Sequence, residues 1–152
     1  MYIDAICAQY CLQDALSATT PLEARAQLTD EREDKPRSDY PYKELVRSLM
    51  YAVTATWLDI TFATSILGQF SQAPARVHWE AAKRVVRYLK TTHNLELTYG
   101  TSHANISGYL DTDHTSQLHQ HSISGYAFLL GEGAVMWSSK KTTDYHAIYN
   151  RG

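Results

Sequence analysis

The sequence is poor in the features that mark secreted and membrane proteins. No stretch reaches the roughly 18 consecutive apolar residues that a membrane-spanning helix needs, so no span is expected. The opening MYIDAICAQYCLQDAL has no basic leader and holds Asp4, which argues against a signal peptide and leaves a cytoplasmic or nuclear location as the default. Cysteine is nearly absent: Cys7 and Cys11 stand one helical turn apart, a poor geometry for a disulfide, and no second pair completes a zinc site. Both are expected to be buried free thiols. An excess of positive charge is missing as well. The formal net charge is −2, so any hold on nucleic acid has to be local.

What is present is an ordinary globular composition, 44% hydrophobic and 20% charged over 152 residues, enough for one medium domain or parts of two. Such a chain can remove roughly 70% of its unfolded surface from water. In residues 2 to 12, Ile3, Ile6, Cys7 and Tyr10 share one helical face. Residues 23–41 are polar, charged and aperiodic, and read as a solvated linker. From Tyr42, Leu45, Val46, Leu49, Met50 and Val53 recur at three- and four-residue spacings, the stripe of an amphipathic helix. Asp59 is placed to cap a second helix with Ile60, Ala63, Ile66, Leu67 and Phe70 inward. Pro74 stands at the start of a third, with Trp79, Ala82, Val85, Val86 and Leu89 inward. From Leu95 the period changes to two. LELTYG, NISGYLDTD, SISGYAFLLG and AVMWSSKK read as β segments, the last two joined as a hairpin through Gly131-Glu132-Gly133.

The blocks Y-x-x-L-V-x-S-L-M-Y-x-x-T-A-T, D-I-x-F-A-x-S-x-L-x-x-F and H-W-x-A-A-K-R-x-x-R-Y-L-K, in that order, resemble copia-type LTR retrotransposon Pol. The likeness covers most of the chain and falls between the reverse-transcriptase palm and ribonuclease H. It extends to Thr20-Pro21, Gly108-Tyr109-x-Asp111-x-Asp113, Ser124-Gly125-Tyr126-x-Phe128-x-x-Gly131 and Trp137-x-Ser139-Lys140-Lys141. One junction departs from it, Thr56-Trp57-Leu58-Asp59 standing where the family has Thr-Arg-Pro-Asp. The resemblance implies an α+β chain in four parts. Residues 1–22 are a thumb-side remnant of reverse transcriptase and 23–41 the linker. Residues 42–94 are a helical connection region, and 95–152 a truncated ribonuclease H-like domain with an incomplete mixed β-sheet.

It also implies where chemistry stops. In the family Asp111 occupies the position of the first of four carboxylates that hold two Mg²⁺ ions for RNA-strand cleavage. The Tyr-x-Asp-Asp turn of the polymerase and the later nuclease carboxylates have no match in this sequence, so a catalytically inactive fragment, needing no cofactor of its own, is expected. Two other functions stay open. Lys83, Arg84, Arg87 and Lys90 form a basic helix face that would lie along a phosphate backbone and hold an RNA–DNA hybrid, or serve association with full-length Pol. The plainer alternative is a solvated outer face. Asp111, Asp113 and His114 with His119 and His121 would make a transition-metal site for a hydrolase. Finally, a nuclease sheet ordered 3-2-1 in its opening strands would leave the first strand as an edge, open to self-association.

Overall fold

The computed structural model describes residues 2–23, 28, 40–55, 57–99, 105–113, 123–131 and 133–141, in an α+β chain of four helices and a three-stranded antiparallel sheet. Two compact units divide it, Met1–Glu96 and Leu97–Gly152.

In the first unit, α1 (Tyr2–Gln9) buries Ile3, Ile6 and Cys7, the face its spacing predicts. Its end is set by backbone geometry. The Cys11 N–H bonds Ala8 C=O at 3.3 Å and the Leu12 N–H bonds Cys7 C=O at 2.8 Å, with Cys11 at φ 54°. This is a Schellman stop with cysteine in the left-handed position that usually takes glycine. Cys7 is the buried thiol and Cys11 is exposed, correcting the expectation for the second cysteine: the left-handed turn carries it off the inner face.

Helix α2 (Tyr42–Ala55) buries Tyr42, Leu45, Val46, Leu49 and Ala52. Met50, expected inside, is 53% exposed, since it lies about 100° round the helix from the centre of that stripe. The Tyr42 hydroxyl donates to Leu67 C=O at 2.7 Å, tying the start of α2 to α3 (Thr61–Gln69), and the Tyr2 hydroxyl donates to Ser48 C=O, tying α1 to α2. A 3₁₀ turn, Leu58–Ile60, leads into α3. Contrary to the expectation that it caps this helix, Asp59 makes no cap; its carboxylate accepts the Tyr88 hydroxyl at 2.5 Å. Ile60, Ala63 and Leu67 are buried as expected, whereas Ile66 and Phe70 are half-buried.

Helix α4 (Arg76–Thr92) starts two residues after Pro74 and buries His78, Ala82, Val85, Val86 and Leu89. Trp79, expected inward, is half-buried at the margin, stacked on Tyr40 at 5.3 Å and meeting Tyr10 edge-on at 6.1 Å. His78 takes the inner place because its Nδ1 accepts the Ala75 N–H at 2.9 Å, closing the helix start, while its ring stacks on Phe70 at 3.9 Å. Residues from α1, α2, α3 and α4 join in one core. Leu45, Leu49, Leu67 and Leu89 are wholly buried there, each worth about 1.5–3 kcal/mol of hydrophobic stabilisation.

The second unit holds β1 (Ile106–Asp113), β2 (Ile123–Leu130) and β3 (Gly133–Lys141), paired antiparallel in the order β1-β2-β3 with β1 at an edge, as expected for that strand. The mixed sheet expected is antiparallel throughout among the described strands. Residues 114–122, between β1 and β2, are too few for the crossover of about a dozen residues that a parallel pair needs. The expected strand at 95–100 does not form over 95–99. Tyr99 instead lies against β3 and donates its hydroxyl to Ala134 C=O at 3.0 Å. A Cβ on Gly133 would collide with that ring. The hairpin loop has two residues rather than three, because Gly133 already pairs with Leu130; Gly131 makes the turn at φ 54°. The register shift between Phe128 and Leu129 leaves Val135 as an extra residue, a β-bulge.

Replacing Cys11 by Gly removes the Cβ strain of a left-handed residue, offset in part by glycine's greater unfolded freedom. The expected gain is roughly 0.5–1 kcal/mol, read as a raised urea midpoint at unchanged slope. A lowered midpoint would show that the thiol makes a contact outweighing the strain.

Candidate functional site

Four cations fall on one side of α4, away from its apolar stripe. At 100° per residue Arg87 is the outermost, with Arg84 and Lys90 about 60° to either side and Lys83 beside Lys90. The expectation for this face was either open solvent or a phosphate backbone. All four side chains are instead half-buried, and the chain's own N-terminal segment bonds two of them, Arg84 and Lys90.

Arg84 reaches Glu23 Oε1 at 3.1 Å with Nη1 and Thr20 Oγ1 at 3.1 Å with Nη2. The Lys90 ammonium donates to Gln13 C=O. Residues 13–23 thus run from Lys90 to Arg84, with Ala18 buried on the way. Lys83 pairs with Glu80 one turn back at 2.8 Å and lies 5.8 Å from the Trp79 ring centre, a cation over an aromatic face. Arg87 makes no such side-chain bond among the described residues. Its Nε, and that of Arg84, are buried without an acceptor. An unsatisfied buried donor costs about 1–3 kcal/mol. The outer side of α4 is thus not simply solvated: Arg84 and Lys90 find acceptors in residues 13–23.

Sequence periodicity finds the four cations but not Gln13, Thr20 and Glu23, which are 61 to 77 residues away from their partners. Where residues 13–23 leave α4, Pro21, Leu22, Glu23 and Leu28 face Asp59, Phe62, Ala63 and Ile66 across an open groove of about 540 Å³.

Asp111 is exposed on the edge strand β1, opposite Gly125, which in turn pairs with Ser139. Neither neighbour supplies a carboxylate. Mg²⁺ demands near-octahedral oxygen coordination, and among the described residues no three His, Cys, Asp or Glu side chains come together as a metal site. The described donor set therefore does not fit the two-metal centre that the family resemblance implies. His114, His119 and His121 of the alternative metal site lie outside the described residues, and of the Asp113 side chain nothing is described.

Among the described residues no helix is long and apolar enough to cross a membrane. No family model matches the chain, and no solved structure matches it. Curated relatives do. The chain is 33% identical over 146 residues to the retrovirus-related Pol polyprotein from transposon TNT 1-94 of Nicotiana tabacum, which takes in 91% of this chain and 11% of that protein. It is 40% identical over 104 residues to the secreted RxLR effector protein 161 of Plasmopara viticola, covering 66% of this chain and 72% of the effector. It is 38% identical over 104 residues to the putative transposon Ty5-1 protein YCL074W of Saccharomyces cerevisiae, covering 66% of this chain and 33% of the yeast protein. The chain belongs to the copia-type retrotransposon Pol polyproteins. It spans about a tenth of the length of the tobacco polyprotein, 11%.

One interaction beside the groove gives the helical unit a pH signature. The Tyr88 phenol is pushed up to about 12 from 10, by burial first and then by its hydrogen bond to Asp59 and that group's charge. Burial alone raises Tyr42. A raised phenol keeps its full contribution to stability below the unfolded value of 10 and loses it as the pH climbs through the folded value of about 12. Thermal stability is expected to hold up to about pH 10 and to fall between 10 and 12. In Tyr88→Phe, which starts lower for want of the hydrogen bond, that fall should be shallower. An unchanged slope in the variant would assign the loss to other groups.

Proposed function

We propose that this chain is a non-catalytic structural segment of a retrotransposon Pol, with its first unit as the connection between polymerase and nuclease and its second as a ribonuclease H-like sheet. The observation that carries the reading is the fate of the α4 cations. Arg84 and Lys90 bind residues 13–23, so the helical unit uses its charged face to hold its own polymerase-side segment in place. Among the described residues no carboxylate cluster forms around the exposed Asp111, which supports the non-catalytic part, since two-metal cleavage depends on a ring of carboxylates clamping both ions. With primed template, nucleotides and Mg²⁺, no incorporation is expected; with an RNA–DNA hybrid, no cleavage, and no difference between native protein and Asp111→Asn. Chelator-sensitive incorporation, or cleavage that Asp111→Asn abolishes, would overturn it.

A second reading, association with itself or with full-length Pol, is favoured by the edge strand β1. Ile106 and Leu110 lie 73% and 84% exposed on it, and among the described strands β1 has a partner on one side only. Sedimentation should show concentration-dependent association that Leu110→Lys suppresses. A native protein that stays monomeric at every concentration would remove this reading and leave the first intact.

A further inference from the structure

We propose that residues 13–23 are a displaceable cover over a phosphate-binding row on α4, and that the phosphodiester backbone of a nucleic acid is what displaces them. The covered state leaves an unmet demand. Arg84 and Arg87, one turn apart on the same side, each keep a guanidinium Nε–H buried with no acceptor. Planar guanidinium forks are shaped for oxyanion oxygens, and a phosphate would supply acceptors that residues 13–23 do not.

The cover is light. Ala18 is its one fully buried residue, Leu16 is 82% exposed, and the Glu23 side chain that pairs with Arg84 is 69% exposed. Surface ion pairs of that kind are weak and screened by salt. Glu23 also places a carboxylate, itself an oxyanion, on the guanidinium that a phosphate would take.

The dimensions choose the ligand. From Lys83 to Lys90 the row runs about 10 Å along the helix axis at about 1.5 Å per residue. One phosphate ion would engage only part of it, whereas consecutive phosphates of a nucleic-acid strand would engage it all. Contacts of this type read no base sequence.

The test is fluorescence anisotropy with a short labelled RNA–DNA hybrid, at several salt concentrations, on native protein, Glu23→Gln, Arg87→Gln and the double variant, with far-UV circular dichroism showing that each is folded. Glu23→Gln is expected to bind about two- to fivefold tighter than native, matching the loss of one exposed ion pair. Arg87→Gln should weaken binding in both backgrounds and flatten the salt dependence by about one released counterion. Amide exchange at 13–23 should speed up when the hybrid is added. Unchanged affinity in Glu23→Gln, unchanged affinity in Arg87→Gln, no detectable binding, or slower exchange at 13–23 would each overturn the cover. Full competition by inorganic phosphate, at ionic strength matched with chloride, would overturn the choice of a polynucleotide. Cleavage of the hybrid would sink the non-catalytic reading without touching this one.

Discussion

Helix α4 is held on both its sides, and the helical unit depends on that. Its inner side packs Ala82, Val85, Val86 and Leu89 into the core shared with α1, α2 and α3. Its outer side binds residues 13–23 through Arg84 and Lys90. The two attachments differ in kind. The inner one is apolar, insensitive to salt and worth several buried side chains. The outer one consists of charge-assisted hydrogen bonds at a partly wet surface, each worth little in net terms. The outer layer is therefore held more weakly than the core.

The second unit is built differently. Its sheet is a single layer of three strands, and among its described residues only Gly133 and Ala134 are buried. Tyr126 and Phe128 tilt against each other at 5.7 Å on one face yet stay 37% exposed, and Met136 beside them is 56% exposed. Backbone pairing, the Tyr99 hydroxyl on Ala134 and the bulge at Val135 define its register. A sheet so little covered has far less hydrophobic stabilisation than the helical unit.

How much of this could be read beforehand followed from whether the controlling interactions were local. The helices were legible because a repeated three- and four-residue spacing is itself the helix signal, and Leu45, Leu49, Val85 and Leu89 all lie inside as that spacing requires. Errors fell at the margins of each stripe. Met50 lies too far round the helix, and Trp79 lies at the margin against Tyr10 and Tyr40 while His78 points inward and closes the helix start. Strands β1, β2 and β3 were legible from alternation. The 95–99 segment alternates just as well, but Tyr99 is engaged by Ala134, a contact 35 residues away that no local period encodes. Cys11 in a left-handed turn was invisible because glycine is the usual signal there.

The basic face shows the same division at the level of function. Which residues would be cations on one side of α4 was evident from their spacing alone. Whether they met water, phosphate or protein depended on Gln13, Thr20 and Glu23, and on a segment whose own sequence carries no period. Glu23 sits at the head of a stretch that reads as solvated linker, and in the structure its carboxylate pairs with Arg84. Charge balance gives the reason. With a net charge of −2 over the whole chain, a local row of four cations lies within reach of the chain's own carboxylates and carbonyls. These are tethered, whereas a nucleic acid arrives from dilute solution. The intramolecular partner therefore holds the face by effective concentration rather than by strength of contact. A competing ligand would have to engage several cations at once.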